Sequence, residues 1–490
     1  MVNTTISIIV LKSLSAILGL FVAYYVVEYL RSPLKQFNGP FWAKFTDWWR
    51  VVDTSRFKAH ETQLRLHKKY GPVVRLGPNC LSISDPKLAK TIYAIRGSYY
   101  KTEMYSVNDI VQDGHVIENI FSTRDQDFHA KSMRPIQKMY TMNGILTVEY
   151  LADKAIATLC RRLEEECMDG AWDCVGEVTF SEPIGFLEEG DDINNMLETA
   201  EKALEYFAVV SQMPQLDKLL AKNPYYRIGP PSFEAAGRFC AVRLFGRLQA
   251  EKQTESVDFL NRFIDLKDEY PGTVTDNEVI GYMLINILAG ADTTAVTLRA
   301  IIYYLLKNPH CLALLDNELK AANLPMPIPY RDAVKLPYLN AVVREAMRIH
   351  PGVGLLLERF VPAGGLKLPD GRFVPAGTIV GLNPWVVHRD TEVFGADAHV
   401  FNPGRWLKGD GEDEDEYNAR LKRMKDADLT FGAGSRVCLG KNLALLEVYK
   451  LIPTLFMKYD FELADPDAEW KVKNVWFTLQ EGINVKIRRR

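Results

Sequence analysis

Phe431-Gly432-Ala433-Gly434-Ser435-Arg436-Val437-Cys438-Leu439-Gly440 delivers one cysteine to the start of an apolar run, Leu439 to Met457, that reads as a helix. A thiol becomes a metal ligand when it loses its proton, and helix amides together with a nearby cation favour the thiolate. Arg436 is the cation nearest in sequence, and Gly432, Gly434 and Gly440 permit tight turns and close approach to a flat macrocycle. The stretch therefore reads as a haem-thiolate ligand loop, whose electron-rich axial sulfur would favour O–O cleavage. Cys438 alone fits a buried structural cysteine better. Phe431, Gly434, Arg436, Cys438 and Gly440 together reverse that preference.

Two further groups carry possible chemistry. A helix predicted over Asn277–Asn308 opens on the capping-box pattern Thr275-Asp276-Asn277-Glu278 and stops at Pro309. At its centre stands Ala289-Gly290-Ala291-Asp292-Thr293-Thr294, which places an acid and two alcohols in an apolar stretch. Buried polar groups of this kind cost several kcal/mol unless paired or hydrated. A kink with the hydroxyls bonded back to helix carbonyls is one account of them. The third group is Glu345-Ala346-Met347-Arg348, whose charges face each other three residues apart on the apolar helix predicted over Tyr338–Ile349. Such pairs are commonly surface decoration. Here the helix is bounded by Pro337 and Pro351 and is followed by Phe401-Asn402-Pro403-Gly404-Arg405-Trp406.

The cysteine loop matches the Phe-x-x-Gly-x-Arg-x-Cys-x-Gly signature of the cytochrome P-450 family at all five positions, and the chain resembles that family from about Pro33 to the end. The resemblance implies the P-450 fold and haem b (iron protoporphyrin IX), with Cys438 as axial ligand to the iron. The segment around Gly290, Asp292 and Thr293 is similar to the family's oxygen-activation segment: Asp292 and Thr293 would relay protons, and Gly290 would leave space for dioxygen and substrate. Glu345, Arg348 and Arg405 would form a buried ion network holding the proximal haem face. Arg436 and Arg359 would meet the haem propionates. The family's Trp/His-x-x-x-Arg element is not matched, because Met133 stands four residues beyond His129. His129, Lys131 and Arg134 stay open as contacts there.

The elements that must position these residues are mostly helices. Helical patterns cover Phe57–Tyr70, Val148–Met168, Asp192–Met213 and Ser232–Glu269. Short strands are expected at Val73–Leu76 and Leu81–Ser84, near Gly377–Gly381, at Val475–Leu479 and at Ile483–Ile487. The acidic run Gly409–Tyr417 reads as a solvated surface insertion. The fold class is mainly α with small β-sheets, preceded by one N-terminal transmembrane helix. With 490 residues, 47% of them hydrophobic, and no linker or repeat, one large domain is expected. A net charge of −3 argues against a dedicated nucleic-acid binder. Seven scattered cysteines, an odd number without a Cys-x-x-Cys pair, suggest a reducing compartment.

Ile6 to Val27 is a 22-residue apolar stretch, interrupted by Lys12, that is long enough to span a bilayer. Arg31, Lys35 and Lys44 follow it, and the positive-inside rule then puts the body on the cytoplasmic side. A cleaved signal peptide is the rival, but no small-residue cleavage site follows Val27. Residues 1–31 are thus expected to anchor a catalytic domain at 32–490 in the endoplasmic reticulum membrane. Gly39–Trp49 is similar to segments of filamentous-fungal members of the pisatin demethylase type. The resemblance implies a monooxygenase acting on a lipophilic, fungal secondary-metabolite intermediate. Electrons would come from NADPH through an NADPH-cytochrome reductase, with cytochrome b5 as a second donor and the enzyme monomeric in the membrane. Walls for the substrate are expected from residues 100–121 and 206–232, from Leu284 and Ala289, from Leu355–Leu357 and from Trp476–Phe477. The rivals are a haem-thiolate isomerase or dehydratase that uses no dioxygen, and a non-catalytic haem-binding protein.

Overall fold

The computed structural model describes residues 12, 16, 19, 20, 23–112, 115–165, 171–189, 191–230, 233–250 and 258–490. The expected span at 6–27 lies largely outside the described residues, as does Cys167. Residues 23–31 are helical, with Tyr24 and Leu30 exposed.

The helices that matter for function are α1 (Trp48–Thr54), α2 (Ala59–Tyr70), α3 (Gln126–Ile136), α4 (Glu149–Glu165), α5 (Ala171–Phe180), α6 (Met196–Val210), α7 (Glu234–Gln249), α8 (Phe259–Glu269), α9 (Asp276–Lys307), α10 (Pro309–Ala322), α11 (Pro337–Ile349), α12 (Glu414–Ala427) and α13 (Lys441–Lys458). The central helix, α9, is 32 residues long and starts with the expected reciprocal capping box of Thr275 and Glu278. Among the described residues it alone is long and apolar enough to cross a membrane, but half of its apolar window is buried in protein. Val279, Met283, Ile287, Ala291, Leu298 and Ile301 put it in the main core against α5, α7, α11 and α13.

A five-stranded sheet forms beside this helical body in the order β1 (Val73–Gly77), β2 (Cys80–Ile83), β5 (Ile379–Leu382), β4 (Arg359–Phe360), β3 (Tyr100–Lys101). All its neighbours run antiparallel except β2 and β5, where Cys80 pairs with Ile379. In β3 and β4, Lys101 lies opposite Arg359. Near the C-terminus β6 (Tyr459–Leu463) pairs with β9 (Val485–Arg489), and β7 (Lys471–Val475) with β8 (Phe477–Glu481).

Three expectations are corrected. The single helix at 232–269 is two, because Ala250 leaves α7 in an extended conformation and the buried Asp258 caps α8 through the Asn261 amide. The strand at 475–479 is a chain reversal: Trp476, at φ +85°, is the corner of a hairpin between β7 and β8. The acidic run at 409–417 is only partly a loop. Asp413 caps α12, and Glu414, Asp415 and Glu416 occupy its first turn, where negative charge suits the helix dipole.

Four histidines are buried in this frame: His60, His67, His350 and His388. Burial holds the first and third near pKa 3 and the other two near 4. Their folded values lie below the roughly 6.5 of an unfolded chain, so the unfolded state binds protons first as pH falls. Stability from these rings is complete above about pH 6.5 and declines toward about pH 3. Denaturant unfolding followed between neutral pH and pH 5 should show the loss; a flat profile would contradict it.

Candidate active site

The cysteine loop is closed by its own backbone: the Cys438 amide donates to the Phe431 carbonyl at 2.8 Å. Gly434 sits at φ +69°, and a Cβ there would lie 1.7 Å from the Tyr93 carbonyl oxygen. Its smallness therefore serves a backbone-to-backbone contact with Tyr93 within the tight loop geometry. His388 fixes the approach to the loop. Its Nε2 accepts from the Leu429 amide at 2.8 Å, and its Nδ1 pairs with the Arg348 carbonyl at 3.1 Å, which makes Nδ1 the protonated nitrogen.

Burial pushes the Cys438 thiol up, while the backbone amides of Gly440 and Lys441, then the Lys441 charge, pull it down. The helix-amide part of the expectation is thus present. The cation is Lys441, whose Nζ also lies 5.6 Å from the centre of the Phe431 ring. Arg436 was expected to fill that place, but its guanidinium turns the other way, to the Asp125 carbonyl at 3.4 Å.

Arg436 joins Arg359, Lys101 and His129. Burial first, then Arg359, lowers its pKa to about 10, and its Nη1 is buried without a hydrogen-bond partner. Arg359, on β4, donates to the Tyr105 hydroxyl at 3.2 Å and the Glu358 carbonyl at 2.8 Å. His129, on α3, is held near pKa 4 by burial and then by the charges of Arg436 and Lys101. Of the contacts left open on α3, the structure brings His129 to the group. Arg134 and Lys131 are exposed, and Met133 packs against the core. An orphaned guanidinium nitrogen among buried cations, beside a thiol served by two amides, fits a flat ligand with a metal and two carboxylates.

On α9, Asp292 and Thr293 are half-buried. The Thr293 hydroxyl donates to the Ala289 carbonyl at 2.9 Å, the local back-bond that sequence reasoning allowed. A Cβ on Gly290 would meet the Val175 side chain at 3.2 Å. The missing side chain therefore lets α5 pack closely on α9. Tyr140 connects the two halves of the site: its hydroxyl donates to Asn286 of α9, and it stands close enough to Cys438 to interact electrostatically.

Glu345, Arg348 and Arg405 meet in one buried network. Arg348 binds Glu345 through two bonds of 2.9 and 2.7 Å, and Arg405 Nε reaches Glu345 at 2.9 Å. Sequence reasoning missed two partners: the Trp406 indole, which donates to Glu345 at 2.9 Å, and Asp397, which binds Arg405 at 2.9 and 3.0 Å. Trp406 could have been suspected, since a buried indole N–H needs an acceptor. On the other side, Tyr105, Phe121, Phe207 and Trp476 form an edge-to-face aromatic group with centroids 5.4–6.4 Å apart, packed with Leu355. Four of the separate stretches expected to wall the substrate are thereby brought together.

A cysteine loop under amide control, an acid–alcohol segment on the central helix and a buried Glu–Arg–Arg network define a haem-thiolate protein. A family model, cytochrome P-450, matches residues 45–486. The chain belongs to the cytochrome P-450 family. It is 38% identical over 500 residues to cytochrome P-450 monooxygenase cfoH of Aspergillus candidus, covering 98% of this chain and 93% of the relative. To cytochrome P-450 monooxygenase cicH of Emericella nidulans it is 36% identical over 502 residues, covering 97% and 99%. To pkfB of the same organism, also a cytochrome P-450 monooxygenase, it is 35% identical, covering 96% and 94%. The chain is a haem monooxygenase.

Proposed function

We propose that this monooxygenase inserts one oxygen atom into a C–H bond, or an equivalent site, of a lipophilic small molecule in a fungal secondary-metabolite route. The carrying observation is the aromatic group of Tyr105, Phe121, Phe207 and Trp476, which suits a flat, apolar substrate. The fungal origin of the relatives supports the setting.

The haem supplies dioxygen activation when bound. Cys438 holds its iron, and the Gly440 and Lys441 amides stabilise the sulfur as thiolate. Arg359 and Arg436 would bind its carboxylates, and Glu345–Arg348–Arg405 would fix the chain that holds it. Asp292 passes a proton to Thr293 Oγ1, which must release the Ala289 carbonyl to donate into the pocket. An intact acid–alcohol pair is of no use to a rearrangement without dioxygen. Thr293→Ala is therefore expected to lower product formation by about 10²-fold while NADPH consumption continues and hydrogen peroxide is released. Product and peroxide measured per NADPH check this, and unchanged coupling would remove Thr293 from the relay.

Electrons come from NADPH through an NADPH-cytochrome reductase, with cytochrome b5 as a possible second donor. Lys441 and the exposed Lys422–Arg423 pair are proposed to present positive charge to that partner. We place residues 1–31 as a single-pass anchor in the endoplasmic reticulum membrane, with the monomeric catalytic domain 32–490 in the cytoplasm. Metabolite profiling of a deletion strain, then turnover of the accumulated compound with a reductase at varied salt, tests the reading. No accumulated compound, or one that is not oxidised, would refute it.

A further inference from the structure

Asn286, Gly290 and Thr294 recur at intervals of four, so they share one face of α9, beside the stripe that carries Ala289 and Thr293. Each of the three is fixed to another element. Asn286 accepts from the Tyr140 hydroxyl, Gly290 packs on Val175 of α5, and Thr294 shares a hydrogen bond with the Glu447 carboxyl. Tyr140 stands in the turn after α3, and its own carbonyl accepts from Asn442 Nδ2 at 2.7 Å. Asn442 and Glu447 both belong to α13, the helix that follows Cys438. Two polar braces therefore run from the cysteine helix to α9, and they bracket the turn that holds Asp292 and Thr293.

These braces are a poor way to gain stability. Tyr140, Asn286, Thr294 and Glu447 are at most 9% exposed, and Asn286 Nδ2 and Glu447 Oε1 are buried without hydrogen-bond partners. Apolar side chains of similar shape would make the same contacts and leave no such atom unsatisfied. The turn between the braces, however, is the weak point of the helix. Gly290 is a poor helix former, and threonines bonded back to helix carbonyls tend to bend a helix. Two do so here: Thr293 on Ala289 at 2.9 Å and Thr297 on Thr293 at 3.1 Å. Thr293 must drop its bond to donate into the pocket, so its hydroxyl has to turn while the backbone around it stays in place.

We propose that Tyr140 is a positioning residue for oxygen activation. Through Asn286 it clamps α9 to the cysteine helix, so that Thr293 moves its side chain and not its backbone. The proposal rests on the relay role of Asp292 and Thr293, and its test separates the two.

Holoenzyme of wild type, Tyr140→Phe, Asn286→Leu and the double variant is compared. Each single change orphans the partner left behind and should lower the denaturant midpoint. The double change removes both polar partners and should bring the midpoint back toward wild type. Amide hydrogen exchange across residues 286–294 should nonetheless be about tenfold faster in all three variants, the double included. Given a reductase and the compound that accumulates in the deletion strain, all three should divert NADPH electrons to peroxide, with KM unchanged and the thiolate carbonyl band in place. Exchange and coupling that recover together with the midpoint in the double variant would show a role in folding alone and overturn the proposal. Wild-type exchange and coupling in the single variants would do the same. Asn286→Leu breaks the bond from the α9 side, so it serves should Tyr140→Phe not yield holoenzyme. Thr293→Ala is run beside them. Wild-type coupling there overturns the relay, whereas deficient coupling there with wild-type coupling in the double variant overturns the clamp alone.

Discussion

Cys438→Ser is expected to abolish monooxygenase turnover and to remove the red-shifted carbonyl band of the reduced protein. A serine hydroxyl keeps its proton where a thiol can lose one, so the two amides and Lys441 that stabilise a sulfur anion act on nothing comparable. The effect should be all-or-none, since the sulfur's electron donation is lost rather than weakened. The other free cysteines of the described chain provide the control. Cys80, Cys160, Cys174 and Cys240 are buried, and burial raises the thiol pKa of Cys240 to about 12, so a thiolate there is disfavoured. Cys174→Ser should leave the band in place. A band that survives in Cys438→Ser would mean that the iron ligand lies elsewhere.

Glu345→Gln is expected to destabilise the fold by about 3–5 kcal/mol, because it leaves Arg348 and Arg405 buried without their shared carboxylate. An exposed pair such as Lys202–Glu198, at 2.6 Å, should cost no more than about 0.5 kcal/mol when broken. Many buried ion pairs can be exchanged for apolar residues at little cost. This one should not allow it. Arg348 also donates to the carbonyls of His388, Ala398 and Val400, and Arg405 to those of Phe394, Asp397 and Val400. Replacing the triad with Leu would strand these acceptors at about 1–3 kcal/mol for each one left unsatisfied. Denaturant midpoints of the two single variants and the triple variant check the ranking. A Glu345→Gln protein as stable as wild type would show that the network is decoration.

Much of this was legible because it is local in sequence. The capping box of α9, the i,i+3 pair Glu345–Arg348 and the cysteine loop each fit within about one helical turn or one turn-rich segment. Lys101 was not legible: a two-residue strand carries no periodicity, and its partner Arg359 is set by a register across more than half the chain. Asp397 escaped for another reason: it lies only eight residues before Arg405, in a turn that carries no periodicity. The direction of Arg436 was misread because residue type gives the presence of charge, whereas neighbours from distant elements decide where it points. Val175 and Tyr93, likewise from distant elements, are what Gly290 and Gly434 meet. The break between α7 and α8 was hidden by helical composition that runs through it.

The register that pairs Lys101 with Arg359 also sets a schedule. The ribosome releases Lys101 early, Arg359 after nearly three-quarters of the chain, and Arg436 and Cys438 after almost nine-tenths. At roughly 5–20 residues per second, most of the protein is out and able to collapse before the ligand loop exists. A haem held through Cys438 therefore cannot direct early folding, because its ligand loop is among the last segments made.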